Sequence, residues 1–254
     1  MSYVPLYTNS AYTLMNSTVK INDYITLAKK MGYQMLGLID EDTLSGALTF
    51  YQACLKNEIQ PVIGLKFYYQ SQTLKKELPI IAIALNYEGF QTLMQVSTKR
   101  KCEEKIELAT LSNQPNLAWI INAEHPISKE EIDASIRNSL IQELHQNFSE
   151  IYYGIQCYES MDYSFLEDNN FVPLAFSKVN ILHTEEAFAL KVLQKVQHGE
   201  TLSIEEIQAP NYSKAFTLLS PGAYERFYQE KIPISLINLE KLCSHIQLSI
   251  PLHT

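Results

Sequence analysis

No two of the four cysteines, Cys54, Cys102, Cys157 and Cys243, lie close in sequence. Without a CxxC pair there is neither a zinc ribbon nor a thioredoxin-type motif, and free buried thiols are expected. Long apolar runs are missing as well, since stretches such as Pro79 to Leu85 are far too short to cross a bilayer. The first residues show no basic patch followed by an apolar segment and cleavage site, so a cytoplasmic protein without membrane contact is expected. Positive charge is not in excess: 20 Lys and Arg against 28 Asp and Glu leave a net −8. A domain that grips DNA by itself usually carries a positive surface, so any grip on DNA is expected elsewhere. The one basic run, Lys99, Arg100 and Lys101 with Lys105, is interrupted by Glu103, Glu104 and Glu107 and reads as a solvated helix end. None of the six histidines stands at a metal-ligand spacing from another, and they read as surface or capping residues. There is no internal repeat, low-complexity tract or Pro/Gly/Ser-rich linker.

What is present is an ordinary globular composition and a regular alternation of elements. Hydrophobic residues make up 46% and charged residues 19% of 254 residues, enough for one sizeable α/β barrel or two smaller domains. Tyr3 to Leu6, Met35 to Ile39, Pro61 to Phe67, Pro79 to Leu85, Leu117 to Ile121, Ile151 to Cys157 and Val172 to Phe176 read as strands. Between them, apolar residues recur at helical spacing: Ile21, Tyr24, Ile25, Ala28 and Met31 before Gly32, then Leu48, Tyr51 and Leu55, then Phe90, Leu93 and Met94. Ser128 with Glu131 predicts a capping box for a helix reaching about His145. Thr184 predicts the cap of another, with Glu185 and Glu186 in its first turn and Gly199 at its end. Two further helices are expected from about Pro221 and about Ile234. Strand and helix in alternation imply parallel strands with right-handed crossovers, as a doubly wound sheet or a closed barrel. In either, a site lies at the C-terminal ends of the strands.

Several segments, most of them at a strand end, stand out in order along the chain. They are Leu6 to Leu14, Leu38 to Ala47 leading into Phe50 and Tyr51, Ile59 to Lys66, Ala84 to Ser97, Pro173 to Asn180, and Val196 to Leu202. In that order and at those spacings the chain resembles the N-terminal PHP domain of bacterial DNA polymerase III alpha subunits. The resemblance implies a distorted (β/α)7 TIM-like barrel whose strand ends, in active members, hold divalent metals that activate water against a phosphoester. It also implies one PHP domain over 1–254, with a barrel core at about 1–205 and a C-terminal helical extension at about 206–254 leading toward a following domain.

Seven positions of the family's metal site can be matched. The two histidines of its first motif fall at Tyr7 and Asn9. The second motif keeps its aspartate as Asp40, with its histidine at Glu41. The glutamate after the third strand falls at Lys66. In the late motif, aspartate and histidine fall at Lys178 and Asn180. Tyrosine and asparagine are weak ligands for such metals and lysine is cationic, so the resemblance implies a vestigial site with no metal, no cofactor and no catalytic residue in this chain. A sharper expectation is that Lys66 and Lys178 replace the missing metal charge by pairing with Asp40 and Glu41.

The function that follows from the resemblance is a silent, structural or partner-docking PHP domain in a fragment of a longer replicative polymerase. The intact protein would copy DNA with magnesium in a palm beyond Thr254. Its partners would be the rest of the alpha subunit, DNA, replisome proteins and a proofreading exonuclease. The alternatives are a metal-dependent PHP phosphoesterase or 3′–5′ exonuclease, and a free-standing binding protein.

Overall fold

The computed structural model describes residues 3–112, 114–158, 164–204 and 216–251. Six strands form one curled sheet in the order β2 (Met35–Glu41), β3 (Gln60–Gln70), β4 (Glu77–Ala84), β5 (Leu117–Asn122), β6 (Tyr152–Ile155) and β7 (Val172–Ala175). A short parallel ladder, β1 (Tyr7–Thr8) with β8 (Lys178–Val179), joins its two edges. On one side the Gly37 amide of β2 donates to the Pro5 carbonyl at 3.0 Å. On the other, β8 continues the chain of β7 after Phe176 and Ser177. With β7 and β8 taken as one bent strand, the sheet runs around a distorted α/β barrel. Gly37 makes the first junction possible, because a Cβ there would lie 2.0 Å from the Leu6 carbonyl oxygen.

The strands are not all parallel, as the alternation had implied. The pairs β2–β3, β5–β6 and β6–β7 are parallel, but β4 runs antiparallel to both β3 and β5. The cause is local. Only the turn at 71–76 joins β3 to β4, and no helix carries the chain back to the opposite end. The Glu143 carboxylate pins that turn by accepting from Ser71 Oγ and the amides of Gln72 and Thr73.

Eight helices occur among the described residues: α1 (Ile21–Lys30), α2 (Ala47–Lys56), α3 (Tyr87–Lys101), α4 (Ala134–Asn147), α5 (Ser164–Asp168), α6 (Ala187–His198), α7 (Pro221–Lys231) and α8 (Pro233–His245). In α1 the buried Ile21, Tyr24, Ile25 and Ala28 follow the helical period, and Gly32 takes φ +87° just past its end. Gly199 ends α6 in the left-handed conformation, as its position predicted. In α2 the buried face is Ala47, Phe50, Tyr51 and Cys54, so Leu48 and Leu55 face outward. Helix α5 was not legible in the sequence; it is little more than one turn, too short for periodicity to register.

Three boundaries differ from expectation. The ladder of β1 starts at Tyr7 rather than Tyr3, where the chain first lies beside β8. The Ser128 box is not used: Pro126–Ser128 forms a 3-10 turn, and α4 starts after Asp133, whose carboxylate accepts the Ser135 and Ile136 amides. Thr184 likewise opens a 3-10 turn, and α6 starts at Ala187.

The C-terminal helices share the barrel's core. Tyr3 stacks on Tyr224 of α7 at 4.1 Å between ring centres, and Asn238 Nδ2 of α8 donates to the Pro173 carbonyl of β7 at 2.8 Å. Tyr228, Leu239, Leu242 and Cys243 are buried in the same cluster as the strands. Residues 206–215 of the expected extension, and His253, lie outside the described residues. No helix among the described residues is long and apolar enough to cross a membrane.

Candidate functional site

Parallel strands of a barrel carry their site at the C-terminal ends, and the seven matched positions meet there through register. Tyr7 pairs with Lys178 across β1 and β8, and Glu41 pairs with Lys66 across β2 and β3. The turn after β5 adds Glu124.

The side chains form a network of charge pairs. Lys66 Nζ lies 3.0 Å from Glu41 Oε2 and 2.5 Å from Glu124 Oε2. Lys178 Nζ lies 2.9 Å from Glu124 Oε1, so one carboxylate bridges both ammonium groups. The Tyr68 hydroxyl donates to Glu41 Oε1 at 2.8 Å, and its ring lies 5.6 Å from Lys66 Nζ. Lys178 Nζ stands 5.4 Å from the centre of the Tyr7 ring. Burial opposes the charge of Lys66, but Tyr7, Glu124 and Glu41 outweigh it and hold the ammonium above the ordinary lysine range. Glu124 is depressed to about 2: burial pushes it up, and Lys178 and Lys66 pull it further down.

Half of the expected pairing is therefore present, and half is corrected. Lys66 does pair with Glu41. Lys178 pairs with neither Asp40 nor Glu41; its partner is Glu124, which the family motifs do not include. Asp40 already has its partners in the loop that follows β1. Its carboxylate accepts from the Ser10 amide, Ser10 Oγ and Thr13 Oγ1, each at 2.7 Å. Burial still raises its pKa above the usual aspartate value, against the lowering effect of those bonds. The signal for Glu124 was position: it follows the end of a buried strand, as the other site residues do.

The remaining positions are tied to backbone or left open. Asn9 Nδ2 donates to the Ile39 carbonyl. The Asn180 carbonyl accepts from the Thr18 amide and Ser17 Oγ, while its Oδ1 is buried without a partner among the described residues. The Tyr7 hydroxyl is likewise buried without a hydrogen-bond partner among them. Two further sequence readings change here. Arg100 is not solvated: it pairs with Asp42 and Glu77 and packs over the Tyr68 ring. His125 is fully buried, accepts the Ile127 amide at Nδ1 and meets the Tyr69 hydroxyl at Nε2, 3.0 Å away.

These residues do not fit the family's metal cluster. Two matched positions are ammonium groups that repel a dication, and both Asp40 oxygens are already accepting hydrogen bonds. Among the described residues there is no group of three His, Cys, Asp or Glu side chains placed to hold a metal ion.

The fold is a barrel of the PHP class, although its strand-end residues depart from that class's metal site. Residues 6–170 match the PHP domain family, and the chain belongs to it. Curated proteins to which it is similar include DNA polymerase III alpha subunits. One from Halalkalibacterium halodurans is 26% identical over 273 aligned positions, covering 98% of this chain and 23% of that protein. One from Bacillus subtilis is 31% identical over 106 positions, covering 41% of this chain and 10% of its own length. One from Streptococcus pyogenes is 35% identical over 98 positions, covering 39% and 9%. The chain thus spans no more than 23% of the length of these relatives. In fold, it is similar to an amidohydrolase from Chromobacterium violaceum at a TM-score of 0.51 and 10% identity, over 70% of this chain and 87% of that one.

Proposed function

We propose that this is a metal-free, catalytically silent PHP domain that serves as a structural and docking unit of a replicative DNA polymerase III alpha subunit. The observation that carries the reading is the bridge from Lys66 and Lys178 to Glu124, with Glu41 and Tyr68 completing it. Fixed side-chain charge stands where metals would otherwise hold the strand ends together, and it requires no cation. The kinship with polymerase alpha subunits supplies the context. In that context the intact protein copies DNA with magnesium at a site outside this chain, and works in the cytoplasm with DNA and replisome proteins. The barrel packs against the rest of the subunit and offers a surface to a proofreading exonuclease.

Metal content measured by mass spectrometry, after loading the purified chain with zinc and manganese and desalting it, tests the reading. Substoichiometric metal is expected. Tightly held ions in stoichiometric amount, with EDTA-sensitive hydrolysis of a phosphoester that Asp40→Ala abolishes, would put a phosphoesterase in its place.

A further inference from the structure

The loop after β1 presents large apolar side chains to solvent. Tyr12, Leu14 and Met15 are 48%, 76% and 38% exposed. Scattered exposed apolar residues are ordinary, but neighbours on one loop mark a surface with a use. The loop is also held firmly. The buried Asp40 carboxylate accepts its hydrogen bonds from Ser10 and Thr13, the Ala11 amide donates to the Val19 carbonyl at 2.8 Å, and Ser17 Oγ donates to the carbonyls of Asn9 and Asn180. Met15 has φ +63°, a left-handed conformation that a residue with a Cβ adopts at a cost. A strained backbone on a pinned loop displays these side chains in a fixed arrangement, which lowers the entropy a partner must remove on binding.

Charge says what can cover them. Thr13 Oγ1 accepts the Glu41 amide, so the loop borders the charged network of the barrel mouth. In that network the cations are the inner partners: the lysine and arginine side chains are 6–16% exposed, against 25–41% for Glu41, Asp42, Glu77 and Glu124. The surface beside the apolar loop is therefore negative. It repels nucleic acid and anionic lipid headgroups, and a second copy of this chain would bring like carboxylates together. What fits is a partner that carries apolar and basic side chains next to each other.

The geometry points to a docking surface for a basic amphipathic helix of a partner protein, with Tyr12, Leu14 and Met15 receiving its apolar face and Glu41 and Glu124 its Lys or Arg residues. The inference rests on the docking half of the reading above and not on its metal half. It gives Asp40 a task that needs no metal: holding the loop in the shape the partner meets.

The test is fluorescence anisotropy with a labelled peptide about 14 residues long, leucines on one helical face and lysines on the other. The native chain is expected to bind it, and the double variant Leu14→Ser, Met15→Gly to bind at least about tenfold more weakly. Glycine suits the backbone at position 15 and both side chains lie outside the core, so the thermal midpoint should not fall. Leu55→Ser, at a 48% exposed leucine on the outer face of α2, should leave the affinity unchanged. No binding by the native chain, undiminished binding by the double variant, or an equal loss in Leu55→Ser overturns the surface. Equal binding of the same peptide with glutamates for its lysines overturns it too. Should the double variant fail to fold, Leu14→Lys alone decides: a loss of about tenfold supports the surface, and unchanged affinity overturns it. Metal content of the same samples keeps the two readings apart, since a metal-free chain that ignores the peptide overturns this surface and leaves the silent domain standing.

Discussion

Lys178 Nζ and Glu124 Oε1 lie 2.9 Å apart across the barrel mouth, although 54 residues separate them in the chain. The contact ties β8 to the turn after β5, two elements with no ladder between them. Because Glu124 also holds Lys66, the carboxylate links opposite sides of the strand-end ring. A metal cluster would do the same by drawing ligands from several strands to one point.

The two lysines should not be equivalent. Lys66 is nearly inaccessible and serves two carboxylates, whereas Lys178 is partly exposed and serves one that faces solvent. Lys66→Ala leaves Glu41 and Glu124 facing each other and is expected to cost about 3 kcal/mol, and Lys178→Ala about 1 kcal/mol. Urea unfolding of both variants checks the order. Equal losses would show that the network does not carry the stability assigned to it.

The β1–β2 junction has no room for a methyl group. At Gly37 an added Cβ would lie 2.0 Å from the Leu6 oxygen and 2.5 Å from the Leu6 Cα, all backbone that cannot swing aside. Gly37→Ala must push β1 away from β2 and break the bond to the Pro5 carbonyl. A loss of about 3 kcal/mol or more is expected, read as a lowered midpoint in thermal unfolding. A variant as stable as the native chain would mean that the barrel does not close at this edge.

Much of this arrangement was legible in the residues. The strands and the helix period in α1 followed from alternation, and the matched segments led to Asp40, Glu41, Lys66 and Lys178. What escaped was set by tertiary contact. The antiparallel β4 depends on a turn too short for a crossover, and neither strand's own pattern reveals it. Asp40 was given a lysine partner because a buried carboxylate needs compensation, yet Ser10 and Thr13 supply it through a loop whose path the sequence does not reveal. Glu124 lay in the stretch where the family pattern is faintest, so only its place after a strand could have singled it out.

His125 should make the fold acid-sensitive. Burial lowers its pKa from the ordinary 6.5 to about 3, so the native state holds it neutral while the unfolded chain takes up a proton. Stability from this group is complete above about pH 6.5 and falls as the pH drops toward 3, by up to about 1.4 kcal/mol per unit. Glu124, lowered from 4.5 to about 2, works in the same direction but only in the more acid part of the range. Asp40, whose pKa burial raises, works in the opposite sense, so the histidine is isolated by comparing denaturant titrations of the native chain and His125→Gln between pH 6.5 and pH 5. His125→Gln should flatten the slope there, and an unchanged slope would assign it to another group.

Helix α7 is expected to be required for folding, because it completes a hydrogen-bond chain inside the barrel wall. The Cys157 amide donates to Ser177 Oγ at 2.8 Å, Ser177 Oγ lies 2.7 Å from the Tyr228 hydroxyl, and that hydroxyl donates to the Ile155 carbonyl at 2.6 Å. These bonds span the bend between β7 and β8, where the ladder to β6 has ended and the ladder to β1 begins. Tyr3 lies against both Tyr224 and Tyr228, and its hydroxyl accepts the Ser177 amide, so the first described residue is held by the same helix. Tyr228→Phe keeps the ring and removes only the hydroxyl, leaving the Ile155 carbonyl with the Phe176 amide alone and the buried Ser177 Oγ without its hydroxyl partner, at an expected cost of about 1–3 kcal/mol. A chain ended ahead of Pro221 loses the ring contacts as well, and is expected to show no cooperative unfolding transition by circular dichroism. A truncated chain that still melts cooperatively would mean that the barrel stands without its C-terminal helices, and that Tyr3, Ser177 and Ile155 find other partners.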